Sequence, residues 1–250
     1  MMSGPRRLIV NADDFGLTRG VSAGILAAHR HGIVSSTTVL VTSRIAPDLV
    51  AQARDSALGI GLHVNVTLGR PLTRAASLVD AGGGFVRDAR RAAARAKARD
   101  VDAEIAAQVE RFLDVIGRRP THLDTHHHVG LLSPVRESVL ALAVRLGIPV
   151  RSQDAMARAR ARVLGLRTPD HFFGESGPEA YWSAAQTTAR LRALPAGVSE
   201  FMTHPGWFDD DLAFSRYARQ REVEMVGLGT PAAHSAAAAL GIALSTFASL

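Results

Sequence analysis

The stretch THLDTHHHVG, residues 121 to 130, sets three consecutive histidines behind an aspartate. Read as a strand, it points alternate residues to opposite faces, so His122, Asp124, His126 and His128 share one side while Thr125 and His127 take the other. Four polar groups on one face exceed what packing requires. Upstream, IVNADDFG runs an apolar strand straight into two carboxylates, Asp13 and Asp14. Adjacent acids ordinarily mark a solvated turn or a helix N-terminus. Set opposite histidines, they can do more: a carboxylate oxygen and two imidazole nitrogens make a divalent-cation site with positions left for water and substrate. One acid can then ligate while its neighbour, aimed differently, works as a base.

Other candidates gather at the ends of apolar runs. His63, in GLHVNVT, lies within a strand where a lone histidine is more often a core residue than a ligand; its value comes from matching partners elsewhere. His126 closes its strand and can face the cleft beside Asp14 and His63, with Asp124 behind to hold a ligating imidazole in one tautomer. His127 and His128 stay unassigned, because a turn after Thr125 changes which face each sees. His204 precedes a proline, which favours extended backbone; it is either a loop-capping residue or a general acid with a pKa near neutrality. Arg151 pairs with a surface carboxylate, lowers the pKa of Asp13 or grips substrate oxygens. Arg151 and Asn65 are taken as substrate-binding residues. The glycines of ADDFGLTRGVSAG match neither the dinucleotide fingerprint nor the phosphate-binding loop.

Short apolar runs rich in β-branched residues alternate with amphipathic segments, the pattern of βα units around a largely parallel sheet. Strands are expected at 7–12, 37–42, 59–66, 121–126, 148–152, 199–204 and 242–247, and helices at 21–32, 46–55, 105–117, 133–147, 181–194 and 230–241. Ser133-Pro134 and Thr230-Pro231 each offer an N-cap hydroxyl before a first-turn proline, and Gly32, Gly117, Gly147 and Gly241 stand where helices stop. Segments 68–104 and 153–180 fit no βα unit and read as excursions that shape a cleft. The expected fold class is α/β, a largely parallel barrel of about seven strands forming a single domain over 1–250. The chemical residues fall at the C-terminal ends of its strands, the face where such barrels build active sites.

Hydrophobic residues make up 47% of the 250 and charged residues 21%, a globular composition. Without cysteine, disulfides, thiolate metal sites and cysteine nucleophiles are excluded, so a metal must sit on His, Asp or Glu. Asp13 and Asp14 interrupt the N-terminal apolar run before a signal sequence forms, and no apolar run approaches the roughly 20 residues that cross a bilayer. The expectation is a cytoplasmic chain with no membrane partner. Net charge is +6 and every basic residue but Lys97 is arginine or lies outside the count as histidine. The arginine-rich segment 87–100 lacks the interleaved aromatics of single-stranded nucleic-acid binders and reads as a solvated helical face or a mobile insertion, so no nucleic-acid partner is expected. The alanine-rich helix at 231–240 could carry a homodimer contact.

LIVNADDFGLTRGVSAGI, GIVSSTTVLV, GIGLHVNVTLGRPL, RPTHLDTHHHV and MTHPG resemble, in order and spacing, the YdjC-like carbohydrate deacetylases, which include chitooligosaccharide deacetylases. The motifs are dense in the first half and thin in the second. The resemblance implies a distorted (β/α) TIM-like barrel related to the NodB-type polysaccharide deacetylases and one divalent metal, magnesium by family and zinc by the two imidazoles. Its ligands would be Asp14, His63 and His126, with Asp13 the base and His204 the acid, removing an N-acetyl group from a small amino-sugar saccharide. Members of the family often carry a further histidine where this chain has Gly130. Two other readings stand beside it: a metal-dependent phosphoesterase, which needs a second metal and a bridging carboxylate, and a non-catalytic carbohydrate-binding barrel.

Overall fold

The computed structural model describes residues 4–250; Met1 to Ser3, included in the expected single domain, lie outside the described residues. Among the described residues the strands are β1 (Arg6–Phe15), β2 (Ser36–Val39), β3 (Gly59–Val64), β4 (Leu123–Thr125), β5 (His171–Phe173), β6 (Gly197–Thr203) and β7 (Ile242–Ser245). All named pairings are parallel, in the order β4-β3-β2-β1-β6-β5, with β7 added along the first residues of β1. No pairing joins the two ends of this order among the described residues, so the sheet curls into a half-barrel. The helices are α1 (Arg19–His31), α2 (Pro47–Arg54), α3 (Ala89–Arg95), α4 (Ala98–Ile116), α5 (Val135–Leu146), α6 (Ala155–Val163), α7 (Ala184–Arg192), α8 (Gln220–Leu228) and α9 (Pro231–Ala239).

Two expected elements change places. Segment 148–152 makes a single rung, Val150 opposite Leu123, because Pro149 has no N–H with which to extend a ladder. The seventh strand is instead β5, three residues inside the 153–180 excursion and too short to show alternation. Helices α6 and α8, of 9 residues each, carry too little apolar periodicity to be read beforehand, whereas the 7-residue α3 falls within the arginine-rich segment 87–100. Thr230 caps α9 through its hydroxyl as expected. Ser133 does not cap α5; Pro134 takes the N-cap position and supplies no side-chain bond.

Strand alternation sorts β1 into two roles. Leu8, Val10 and Ala12 join the main apolar cluster with Ile25 of α1, Phe112 of α4 and Leu191 of α7. Ile9, Asn11 and Asp13 take the other face and fill the half-barrel from bottom to top. At the bottom Ile9 packs with Val198 and Phe247. In the middle the His122 ring stacks on Phe247, centroids 3.8 Å apart, and its Nε2–H donates to Asn11 Oδ1 at 3.0 Å. Gly61 makes this possible, since a Cβ there would lie 2.4 Å from the imidazole. The top layer is ionic.

Burial, followed by the Arg151 charge, holds the His122 pKa well below the usual histidine value. A group depressed in this way contributes stability that is complete above its unfolded pKa of about 6.5 and is lost as pH falls below it. Replacing His122 with Gln is therefore expected to flatten the acid limb of thermal stability by about 1.4 kcal/mol, or about 3 to 6 °C, per pH unit below 6.5. Melting curves between pH 5 and 7 test this. Parallel profiles for wild type and H122Q would show that some other group takes up the proton.

Candidate functional site

The end of β1 sets the geometry. Between Ala12 and Phe15 the register of β1 on β2 shifts, and Asp14 adopts φ 75°, a left-handed backbone uncommon outside glycine. In a regular strand Asp13 and Asp14 would face opposite sides of the sheet; the bulge turns both carboxylates into one cleft. Such local strain persists where surrounding structure holds it.

Three donor atoms converge there. Asp14 Oδ1 lies 3.1 Å from His126 Nδ1 and 3.3 Å from His63 Nε2, and the two imidazole nitrogens are 3.3 Å apart. Donors placed about 2.1 Å from a shared cation are separated by about 3.0 Å in octahedral and about 3.4 Å in tetrahedral geometry, so this trio fits one divalent ion. The tautomer is suitable as well: His63 Nδ1 faces Asp124 Oδ1 at 2.6 Å, which keeps the ring proton on Nδ1 and aims Nε2 at the trio. Burial alone would lower the His63 pKa, but Asp124 and Asp14 raise it to about 10, so proton and cation compete for Nε2. Asp14 Oδ2 accepts from Arg221 Nη2 at 2.6 Å. Burial there opposes ionisation, yet Arg221 and His126 outweigh it and hold the Asp14 carboxyl well below the usual carboxylate range.

Arg151 lies beneath this layer and is bound on three sides. Nη1 and Nη2 each reach an Asp13 oxygen at 2.7 Å, Nη1 also meets Asp124 Oδ2 at 2.8 Å, and Nε donates to Glu200 Oε1 at 2.6 Å. Its side chain is 1% exposed. The guanidinium, expected to bind substrate, is enclosed by the carboxylates of Asp13, Asp124 and Glu200. Burial would raise the Asp13 pKa, but the Arg151 charge and hydrogen bonds more than offset this and hold it well below the usual range. Glu200, across the half-barrel on β6, is pushed by burial up to about 7 despite Arg151. A second trio, Asp13, His63 and Asp124, also brings its oxygens and nitrogen together, but the Arg151 guanidinium already lies between the two carboxylates.

Asn65, the other expected substrate-binding residue, is engaged within the protein. Its Nδ2 donates to Thr42 Oγ1 and Leu68 O, both at 2.7 Å, and its Oδ1 accepts from the Thr67 and Leu68 amides. Every hydrogen-bonding position is occupied in closing a turn. The same-face reading of 122 to 128 holds only as far as the strand: β4 ends at Thr125, and His127 and His128 both take φ 53°. His126 therefore meets Asp14, whereas His128 turns away to Gln153.

His204 follows β6, its Nε2 4.0 Å from Asp13 Oδ2 and its backbone N–H donating to Glu224 Oε2 at 2.5 Å. The loop carrying it comes close to α1, where a Cβ on Gly24 would lie 2.5 Å from Gly206 Cα. Burial, aided by Arg221 and opposed by Asp13, lowers the His204 pKa to about 4 rather than leaving it near neutrality. Its Nδ1 is buried without a partner among the described residues. Glu224, itself pushed by burial up to about 7, also accepts from Tyr217.

These groups open on a cavity of about 1080 Å³ walled by Asp13, Asp14, His63, His126, His127, His128, His204, Tyr217 and Arg221. Both excursions contribute, Arg87 from one and Ser176 to Pro178 from the other. Sequence reading missed Arg221, Glu200 and Glu224. Arg221 and Glu224 sit on α8, whose short QREVEMVGL carries no recognisable motif, and Glu200 reads simply as a strand residue in GVSEFMT.

The model of a family described as YdjC-like protein matches residues 7–238. The chain belongs to the YdjC-like family. The YdjC-like chain is 38% identical over 253 residues to a chitooligosaccharide deacetylase of Serratia marcescens, an alignment covering 97% of this chain and 98% of that one. It is 36% identical over 250 residues to a carbohydrate deacetylase of Geobacillus stearothermophilus, covering 97% of each. Among solved structures it is similar, with TM-score 0.86, 32% identity and 98% and 99% of the two chains covered, to an Enterococcus faecalis V583 protein whose name proposes cellobiose-phosphate cleavage. A family 4 carbohydrate esterase from Streptomyces lividans shares the fold, with TM-score 0.51, 11% identity and coverage of 96% and 92%. No helix among the described residues is long and apolar enough to cross a membrane.

Proposed function

We propose that this YdjC-like chain is a metal-dependent carbohydrate deacetylase that hydrolyses an N-acetyl group on an amino-sugar saccharide. The observation that carries this reading is the convergence of Asp14, His63 and His126 within 3.1 to 3.3 Å of one another, with Asp13 on the wall of the same cavity. A divalent cation held by those three residues would polarise the acetamide carbonyl and lower the pKa of water in the cavity.

The remaining steps belong to the protein's own groups. Asp13 Oδ1 is occupied by Arg151 and Asn11, and Oδ2 by Arg151 alone, which leaves a lone pair on Oδ2 to take the proton of the attacking water. Arg151 makes Asp13 a weak base, so the proton is transmitted rather than retained. Water oxygen bonds to the acetyl carbon, the C–N bond breaks, and the nitrogen leaves with a proton supplied from His204. That imidazole rests neutral and becomes an acid only after it gains a proton, for which Asp13 at 4.0 Å is the adjacent source. Buried Arg221 holds the Asp14 carboxylate in place throughout.

The phosphoesterase reading requires a second metal, and the second trio of donors already encloses a guanidinium, which favours one metal. The test is acetate release from a panel of N-acetylated saccharides by chelator-stripped protein, restored separately with magnesium and with zinc. Release that appears only on restoration is expected. Equal release from stripped protein would overturn the metal-dependent reading. The absence of acetate from every saccharide, with sugar still bound, would favour the non-catalytic barrel.

A further inference from the structure

His127 and His128 have no part in the chemistry above, yet both line the cavity and both hold a left-handed backbone, φ 53° each. Such a conformation costs an L-residue free energy, and two in succession need an external hold. Each ring supplies one through Nδ1: His127 to Thr67 Oγ1 at 3.1 Å, and His128 to Gln153 Nε2 at 3.2 Å. Thr67 follows β3 and Gln153 follows the Val150 rung, so the two histidines pin the β4 turn to different walls. Glycine or asparagine would accept this backbone more readily, so the strain secures the imidazoles themselves.

For His128 the chemistry is defined. With the Gln153 amide assigned so that its NH2 group donates to Nδ1, the ring proton lies on Nε2. Among the described residues Nε2 has no hydrogen-bond partner and is not one of the buried, unpaired polar atoms, and the residue lines the cavity, where Nε2 can serve as a single N–H donor. The ring stands edge-on to Phe172 with centroids 6.3 Å apart, and the same phenyl ring lies 5.8 Å from the Arg151 guanidinium carbon. Resting on the deacetylase reading, we propose that His128 is a substrate-binding residue, donating Nε2–H to a hydroxyl oxygen of the amino sugar beside the acetamido group.

Two variants test it in the full, metal-loaded chain: His128→Asn, which accepts left-handed backbone but cannot reach the substrate, and His128→Gln, whose amide restores an N–H donor at similar reach. With an N-acetylated glucosamine disaccharide, H128N is expected to raise KM about tenfold with kcat within about threefold of wild type, and H128Q to recover most of the KM. Tm and metal content should match wild type in both. An unchanged KM in H128N, or an activity loss that tracks Tm or metal content, would overturn the proposal. Calorimetric binding of the same disaccharide to wild type and H128N separates the two readings. If wild type binds the sugar but releases no acetate, the deacetylase reading fails alone, and about tenfold weaker binding to H128N still upholds His128. Equal binding, or no binding to wild type, overturns it.

Discussion

Asp13→Asn is expected to lower kcat by about a hundred- to ten-thousand-fold while leaving cation affinity within a few-fold of wild type. The asparagine keeps the shape and can still accept from Arg151, but it cannot take a proton from water. None of the three converging donors is altered, because Asp14, His63 and His126 meet without Asp13. Acetate-release kinetics with calorimetric metal titration on the same preparation provide the check. If D13N retained near-normal turnover, the proton would be going elsewhere, and His204, at 4.0 Å, is the group to examine next.

The largest stability effect is expected at Arg151, which touches no proposed ligand. Asp13, Asp124 and Glu200 all pair with this one guanidinium, and its side chain is 1% exposed. Arg151→Met would strand buried carboxylates without a counter-charge, an arrangement that costs about 3 to 5 kcal/mol. Lysine in its place keeps the charge but loses the two-pronged grip on Asp13, so R151K should fall between wild type and R151M in both stability and turnover. Urea unfolding of the three proteins tests the ranking. A substrate-binding arginine would behave oppositely, raising KM with stability unchanged.

The residues of the proposed site were legible because their types are unusual for where they sit. Asp13, Asp14, His63 and His126 interrupt apolar strands, and strand ends in a parallel barrel share one face. Legibility failed where backbone geometry or charge pairing decides the outcome. Nothing in HHH announces that the chain turns left-handed at His127, which removes His128 from the Asp124 face. Asn65 looked available because a strand pattern does not reveal that its amide closes the turn to Leu68. Arg151 was read with Asp13 as one of several partners, but its third carboxylate, Glu200, is 49 residues away on β6 and invisible to local pattern. The strands followed the same rule: long β1 and β3 were recognisable, and three-residue β5 was not.

Asp14 is clasped by Arg221, 207 residues further along the chain, and the loop bearing His204 hangs from Glu224 on the same helix. As the polypeptide emerges during synthesis, the Asp14 carboxylate at the end of β1 must wait for α8 before it is held. Contacts of such separation form late and slowly. Nascent chains halted before residue 220 should therefore possess every proposed ligand and yet grip a cation poorly.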